Sequence, residues 1–222
     1  MASYYSKTPG NSEKKKVPFA IVEAYKTVRT NLSFVLSTQK NNIVSVSSPD
    51  MSDGKSTTSV NIAIAFSQLG KKTLLIDADL RRCSLHQKLK LENETGLSNV
   101  LVGLDTFENA VHHVNPDFDV LTAGQIPPNP SELLGSAPFA ELLEKASKEY
   151  DYVMVDTPPI NVVADAIIVS AHTAGIVLVV REKHSSSVEI EKGIEAARFA
   201  NIKILGLVVN GVDGKSKKNY YY

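Results

Sequence analysis

Short apolar runs alternate with amphipathic stretches along most of this chain. Ile43-Val44-Ser45-Val46, Thr73-Leu74-Leu75-Ile76, Asp119-Val120-Leu121, Tyr152-Val153-Met154-Val155, the run from Gly175 to Val180 and that from Ile204 to Val209 each read as a strand. Between them lie helical patterns. Ile21, Tyr25, Val28, Leu32 and Val35 step by three or four residues, which predicts an amphipathic helix to about Gln39. From Thr58, Val60, Ala63, Ile64 and Phe66 fall near helical spacing, with Gly70 as a stop. Ser131 opens a helical region that Pro138 interrupts, and Ala164 to Ala171 and Val188 to Phe199 also read as helices. Residues 84–113 read as a mixed section of short helices, and Gln125-Ile126-Pro127-Pro128-Asn129-Pro130 as a rigid turn. Apolar strands alternating with helices imply an α/β fold, a mostly parallel sheet flanked by helices on both faces.

The most informative link joins the first strand to the helix after it. Ser48-Pro49-Asp50-Met51-Ser52-Asp53-Gly54-Lys55-Ser56-Thr57 places Gly-Lys-Ser between a strand and a helix, the arrangement of a P-loop nucleotide-binding protein. Backbone N–H groups of such a turn face an anion, and Gly54 lets the main chain approach it. Lys55 can neutralise β- and γ-phosphates, and the Ser56 hydroxyl can ligate Mg²⁺. The strict pattern begins with Gly, and here Pro49 holds that place. The bland alternative is a chance Gly-Lys-Ser in a surface turn.

Two more strands end in acids. Leu74-Leu75-Ile76 runs into Asp77-Ala78-Asp79-Leu80-Arg81, and Val153-Met154-Val155 into Asp156-Thr157-Pro158-Pro159. Ligands of open parallel sheets bind at the carboxyl ends of strands, so these acids and the P-loop are expected at one edge. At spacing two in an extended segment, Asp77 and Asp79 point the same way. Strand-end Asp residues also commonly cap helices or turns. Three of them beside a P-loop favour a Mg²⁺-nucleotide site.

Composition narrows the class without changing the fold. The chain has 222 residues, 43% of them hydrophobic, enough for one sizeable core. Equal numbers of Lys+Arg and Asp+Glu, 24 each, argue against nucleic acid as a main partner. The single cysteine, Cys83, excludes an internal disulfide and reads as inert. No apolar run is long enough for a membrane span and no signal-peptide core is present, so a cytoplasmic location is expected. Residues 1–18 read as a flexible N-terminal arm, 19–212 as the P-loop domain and 213–222 as a flexible tail.

The motifs together resemble the Walker A, A′ and B elements of the bacterial tyrosine kinases of capsule and exopolysaccharide assembly. Glu23-Ala24-Tyr25-Lys26-Thr27-Val28-Arg29-Thr30-Asn31, Thr122-Ala123-Gly124 before the proline-rich turn, and the terminal Tyr220-Tyr221-Tyr222 extend the match from about residue 20 to the end. The resemblance implies an ATP-dependent kinase that phosphorylates Tyr220, Tyr221 and Tyr222 between subunits and thereby regulates polysaccharide synthesis and export. It implies ATP binding by Ser52, Asp53, Gly54, Lys55, Ser56 and Thr57, with Asn210 on the adenine. Asp77 would take the acceptor's proton, Lys55 would stabilise charge on the transferring phosphoryl group, and Asp79 and Asp156 would join Ser56 in holding Mg²⁺ through water. A free tyrosine hydroxyl titrates near pH 10, so a positioned base is needed.

The resemblance also implies a homo-oligomeric ring built through Glu23, Lys26 and Arg29. Lys26 stands where the family has an Arg, and lysine offers no bidentate fork. Further implied partners are a transmembrane adaptor of the polysaccharide co-polymerase type, recruiting the kinase to the inner face of the membrane, and a cognate tyrosine phosphatase. A ParA/MinD-type positioning ATPase is the alternative. That group carries an additional loop lysine absent from Ser48-Pro49-Asp50-Met51. A nucleotide-binding regulatory subunit without catalysis is a third reading.

Overall fold

The computed structural model describes residues 17–39 and 41–212. Residues 1–16 of the flexible arm expected over residues 1–18, and the tail with Tyr220, Tyr221 and Tyr222, lie outside the described residues. The elements run α1 (Phe19–Ser37), β1 (Ile43–Ser47), α2 (Lys55–Ser67), β2 (Thr73–Asp77), α3 (Leu85–Leu89), α4 (Leu97–Leu101), α5 (Phe107–Ala110), β3 (Val111–Asn115), β4 (Phe118–Leu121), α6 (Pro130–Leu134), α7 (Ala137–Glu149), β5 (Tyr152–Asp156), α8 (Asp165–Ser170), β6 (Ile176–Arg181), α9 (Ser187–Phe199) and β7 (Ile204–Asn210). Among the described residues the strands form one sheet in the order β3-β4-β2-β5-β1-β6-β7. Every neighbouring pair is parallel except β3 with β4.

Alternation along the strands divides the core between two faces. Leu74 and Ile76 of β2 join Phe139, Leu142 and Leu143 of α7 on one side. Leu75 joins Val60, Ile64 and Phe66 of α2 and Leu32 and Leu36 of α1 on the other. Helix α2 lies between the sheet and α1, and its residues are almost all buried, as a centrally enclosed helix requires. Pro138 sits in the first turn of α7, where its missing N–H costs nothing, so it starts a helix rather than breaking one.

Three expectations change. The section read as helices over residues 84–113 contains α3, α4 and α5, but its end is an edge strand, β3, paired antiparallel with β4. Its His112, His113 and Asn115 are polar and its outer half is exposed, so no apolar alternation announced it. Helix α2 begins at Lys55, a full turn before the apolar spacing starts. In α1 the buried line is Tyr25, Leu32 and Leu36, while Ile21 is 41% exposed and Phe34 is 73% exposed.

The parallel arrangement sets up the site. Strands β1, β2, β5, β6 and β7 all point the same way, so the residues ending them emerge on one edge. Those residues include Asp77, Asp156, Arg181 and Asn210, beside the loop that follows Ser47.

Candidate active site

The loop from β1 to α2 turns tightly. Ser52 has φ 69° and Gly54 has φ 93°, both in the left-handed region. For the serine this costs about 1–2 kcal/mol, which surrounding contacts must offset. Gly54 is favoured by its backbone angle, and a side chain there would also displace Asn210. A Cβ there would lie 2.1 Å from Asn210 Nδ2. Asn210 donates from that nitrogen to the Asp53 carbonyl at 3.1 Å. It therefore braces the loop from the end of β7.

Lys55 extends from the first position of α2 into a group of acids. Its Nζ lies 2.8 Å from Asp79 Oδ2, 3.7 Å from Asp156 Oδ2 and 3.3 Å from Ser56 Oγ. Burial pulls this ammonium's pKa down, but Asp156 and Asp79 outweigh it and hold the pKa above the ordinary lysine value. Asp156 is fully buried; Ser59 Oγ donates to its Oδ1 at 2.9 Å. Its Oδ2 is buried with no hydrogen-bond partner among the described residues. Burial pushes the Asp156 carboxyl up, opposed by Lys55.

Asp77 stands opposite Asp156 in the β2–β5 register and is also fully buried. Its Oδ1 accepts from the Asp79 amide at 3.2 Å, and its Oδ2 from the Ser84 and Leu85 amides at 3.1 Å each. Asp77 thus shapes the loop after β2 and caps the start of α3. Burial first, and then the charge of Asp156, push its pKa up to about 7. Strand β2 stops at Asp77, so Asp79 reaches Lys55 from the turn that follows, and the shared direction expected from strand alternation applies only in part. Arg81 Nε donates to Asp165 Oδ2 at 2.8 Å, and Ser131 Oγ donates to Asp165 Oδ1 at 2.6 Å. That network ties the loop after β2 to α6 and α8.

Lys55, Ser56, Asp77, Asp79 and Asp156 therefore converge, as sequence spacing suggested. Ser52, Asp53 and Gly54 form the turn, and Thr57 receives a hydrogen bond from Lys88 Nζ at 3.2 Å. The trio on α1 divides. Lys26 pairs with Glu23 at 2.8 Å on the surface of the same helix, whereas Arg29 Nη1 donates to the Ala65 carbonyl of α2 at 3.0 Å. Sequence reasoning missed Ser59, His184 and Ser185. His184 Nδ1 lies 3.1 Å and Ser185 Oγ 2.7 Å from Asp53 Oδ1. Their signal was their position just past the carboxyl end of β6.

The donor set suits a hydrated divalent ion bound with phosphate. No cluster of three or more His, Cys, Asp or Glu forms a protein-only metal cage among the described residues. Ser56, Asp79 and the open oxygen of Asp156 instead offer a few hard ligands beside a lysine, and Mg²⁺ characteristically keeps water and phosphate oxygens in its shell.

Loop, acids and parallel sheet define a P-loop nucleotide-binding protein, and a family model described as an AAA domain matches residues 41–196. Tyrosine-protein kinase YwqD of Bacillus subtilis (strain 168) is 42% identical over 201 residues, covering 90% of this chain and 85% of that protein. The putative tyrosine-protein kinase CapB of Staphylococcus aureus is 36% identical, covering 91% and 89%. The solved kinase domain of Escherichia coli tyrosine kinase ETK superimposes with a TM-score of 0.85 at 36% identity, over 96% of this chain and 87% of that one. Other relatives are much longer, and the chain spans 29% of tyrosine-protein kinase ptk of Acinetobacter johnsonii. The chain belongs to the bacterial tyrosine-protein kinases. MinD of Pyrococcus horikoshii, at 21% identity and a TM-score of 0.65, shares the fold alone. No helix among the described residues is long and apolar enough to cross a membrane.

Proposed function

We propose that this kinase transfers the γ-phosphoryl group of ATP to tyrosines of its own C-terminal cluster, Tyr220, Tyr221 and Tyr222, on a neighbouring subunit. The single observation that carries this is the convergence of the Lys55 ammonium with Asp79 and Asp156, one of whose buried oxygens has no hydrogen-bond partner among the described residues. Lys55 exchanges its carboxylate partners for the β- and γ-phosphates and stabilises charge on the transferring group. Asp77, with a pKa of about 7, accepts the tyrosine proton near neutral pH. Ser56, Asp79 and Asp156 would hold Mg²⁺. When bound, that ion neutralises the phosphate oxygens and aligns them for in-line attack.

By likeness to its relatives, the kinase regulates capsular or extracellular polysaccharide synthesis and export. A transmembrane adaptor would bring it to the inner face of the cell membrane, where it assembles as a ring and is reset by a tyrosine phosphatase. Glu23 and Lys26, both partly exposed, supply the ring contact from α1. Labelled ATP with Mg²⁺, followed by mass spectrometry of the purified chain, tests the reading. Phosphate on Tyr220 to Tyr222, reduced about 10²–10³-fold by Lys55→Met, is the expected result. Release of free phosphate with no labelled tyrosine would overturn it.

A further inference from the structure

Asp53 poses an electrostatic problem. Its carboxylate is fully buried and belongs to the residue just before Gly54, inside the loop whose amides must face a polyanion. A buried negative charge there opposes phosphate binding unless its oxygens are engaged elsewhere. They are. Ser185 Oγ donates to Oδ1 at 2.7 Å, His184 Nδ1 lies 3.1 Å from the same oxygen, and the Asp50 amide donates to Oδ2 at 3.2 Å.

The start of the same turn holds the loop again. Arg181 Nη1 donates to the carbonyl of Ser52, the residue in the left-handed conformation, at 3.3 Å, and the Arg181 amide donates to Ser185 Oγ at 2.8 Å. Strand β6 lies beside β1, which is why a turn some 130 positions further along the chain reaches this loop. With Pro49 in place of the first glycine, the loop's shape is secured by side chains from another segment.

We propose that Ser185 and His184 are positioning residues for nucleotide binding: by engaging Asp53 they hold the phosphate loop in the conformation that receives the phosphates of ATP. This rests on reading Ser52–Thr57 as the phosphate site. Among the described residues neither hydrogen-bonds to Lys55, Asp79 or Asp156. Their loss weakens ATP binding and leaves the phosphoryl-transfer step intact at saturating nucleotide.

The test uses the full chain, with ATP and ADP affinities from titration calorimetry alongside steady-state tyrosine phosphorylation. Ser185→Ala or His184→Ala is expected to raise the Kd and KM for ATP about 3- to 10-fold, with kcat unchanged within about twofold. Ser185→Thr keeps the hydroxyl and His184→Asn places an amide N–H near Nδ1, so both restore affinity. Melting curves on the same samples identify a variant that fails to fold, in which case the other alanine variant, with its Thr or Asn counterpart, carries the comparison. Folded alanine variants with wild-type affinity, or with reduced kcat and unchanged KM, overturn the proposal. Lys55→Met separates the two levels. If the wild-type chain binds nucleotide and Lys55→Met does not, the site stands whatever the clasp does; if the wild-type chain binds none, both fall.

Discussion

Two buried carboxylates at opposite edges of one sheet are held in contrasting ways. Asp119, near the start of β4, has both oxygens engaged. Tyr150 donates its hydroxyl to Oδ2 at 2.8 Å, and His113 Nδ1 lies 2.7 Å from Oδ1. The Lys72 ammonium covers the Tyr150 ring from 4.6 Å. Asp156, at the end of β5, has one oxygen bonded to Ser59 and the other without a hydrogen bond, with a lysine side chain nearby. The first arrangement is closed and fastens the β3–β4 hairpin to the end of α7. The second keeps one buried oxygen without a hydrogen bond among the described residues, 3.7 Å from the Lys55 ammonium. The same chemical group fastens a hairpin at one edge and pairs with the Lys55 ammonium at the other.

The sharpest way to break this comparison is to neutralise each acid in turn. Asp156→Asn is expected to lower tyrosine phosphorylation about 10²-fold or more, since it removes the charge beside Lys55. A melting temperature close to wild type would accompany it, because removing a buried charge with one unpartnered oxygen relieves a desolvation cost that offsets the lost attraction to Lys55. Asp119→Asn should do the reverse. It weakens two charge-assisted hydrogen bonds and lowers unfolding free energy by about 1–3 kcal/mol in a denaturant titration, leaving the KM for ATP unchanged. If Asp119→Asn impaired catalysis as much as Asp156→Asn, the division between the edges would be wrong.

Proton linkage sharpens the Lys55 edge further. Asp77 keeps its proton in the folded protein up to about pH 7, whereas an unfolded aspartate loses it near 4. Between those values the folded state binds more protons than the unfolded one. Stability contributed by this group therefore falls as pH rises from roughly 4 to 7. Activity should move the other way, because a base must be deprotonated to accept the tyrosine proton. kcat/KM is expected to climb through about pH 7 in the wild type and to lose that rise in Asp77→Asn, alongside a flatter stability profile. The smallest effect belongs to Tyr150→Phe. Burial and the hydrogen bond to Asp119 hold the Tyr150 phenol well above the ordinary tyrosine range, so this hydroxyl is committed and protonated. Its removal should cost about 1 kcal/mol of stability, read from a denaturant midpoint, and leave phosphate incorporation unaltered.

Much of this was legible from residue types alone, for identifiable reasons. Buried parallel strands need continuous apolar runs, and those around Val44, Leu75, Met154 and Val179 declared themselves because both sheet faces are covered. The acids closing two of those runs followed from the rule that parallel strands present their carboxyl ends together. Strand β3 escaped notice because an edge strand with one wet face needs no apolar pattern. Helix α1 was found, yet its buried line was misplaced at Ile21. Periodicity defines a stripe, while packing against α2 chooses which part of it is covered.

Local pattern thus determined the layered fold, the phosphate loop and the candidate acids, since each depends on chemistry within a few neighbouring positions. Tertiary structure alone decided that Ser59 serves Asp156, that His184 and Ser185 serve Asp53, that Asn210 holds the Asp53 carbonyl, and that Arg29 turns inward to Ala65. Those partnerships span from 36 to 157 positions of chain. They exist because β1 lies between β5 and β6 and α1 lies against α2, arrangements set by the packing of the whole core and written in no short segment.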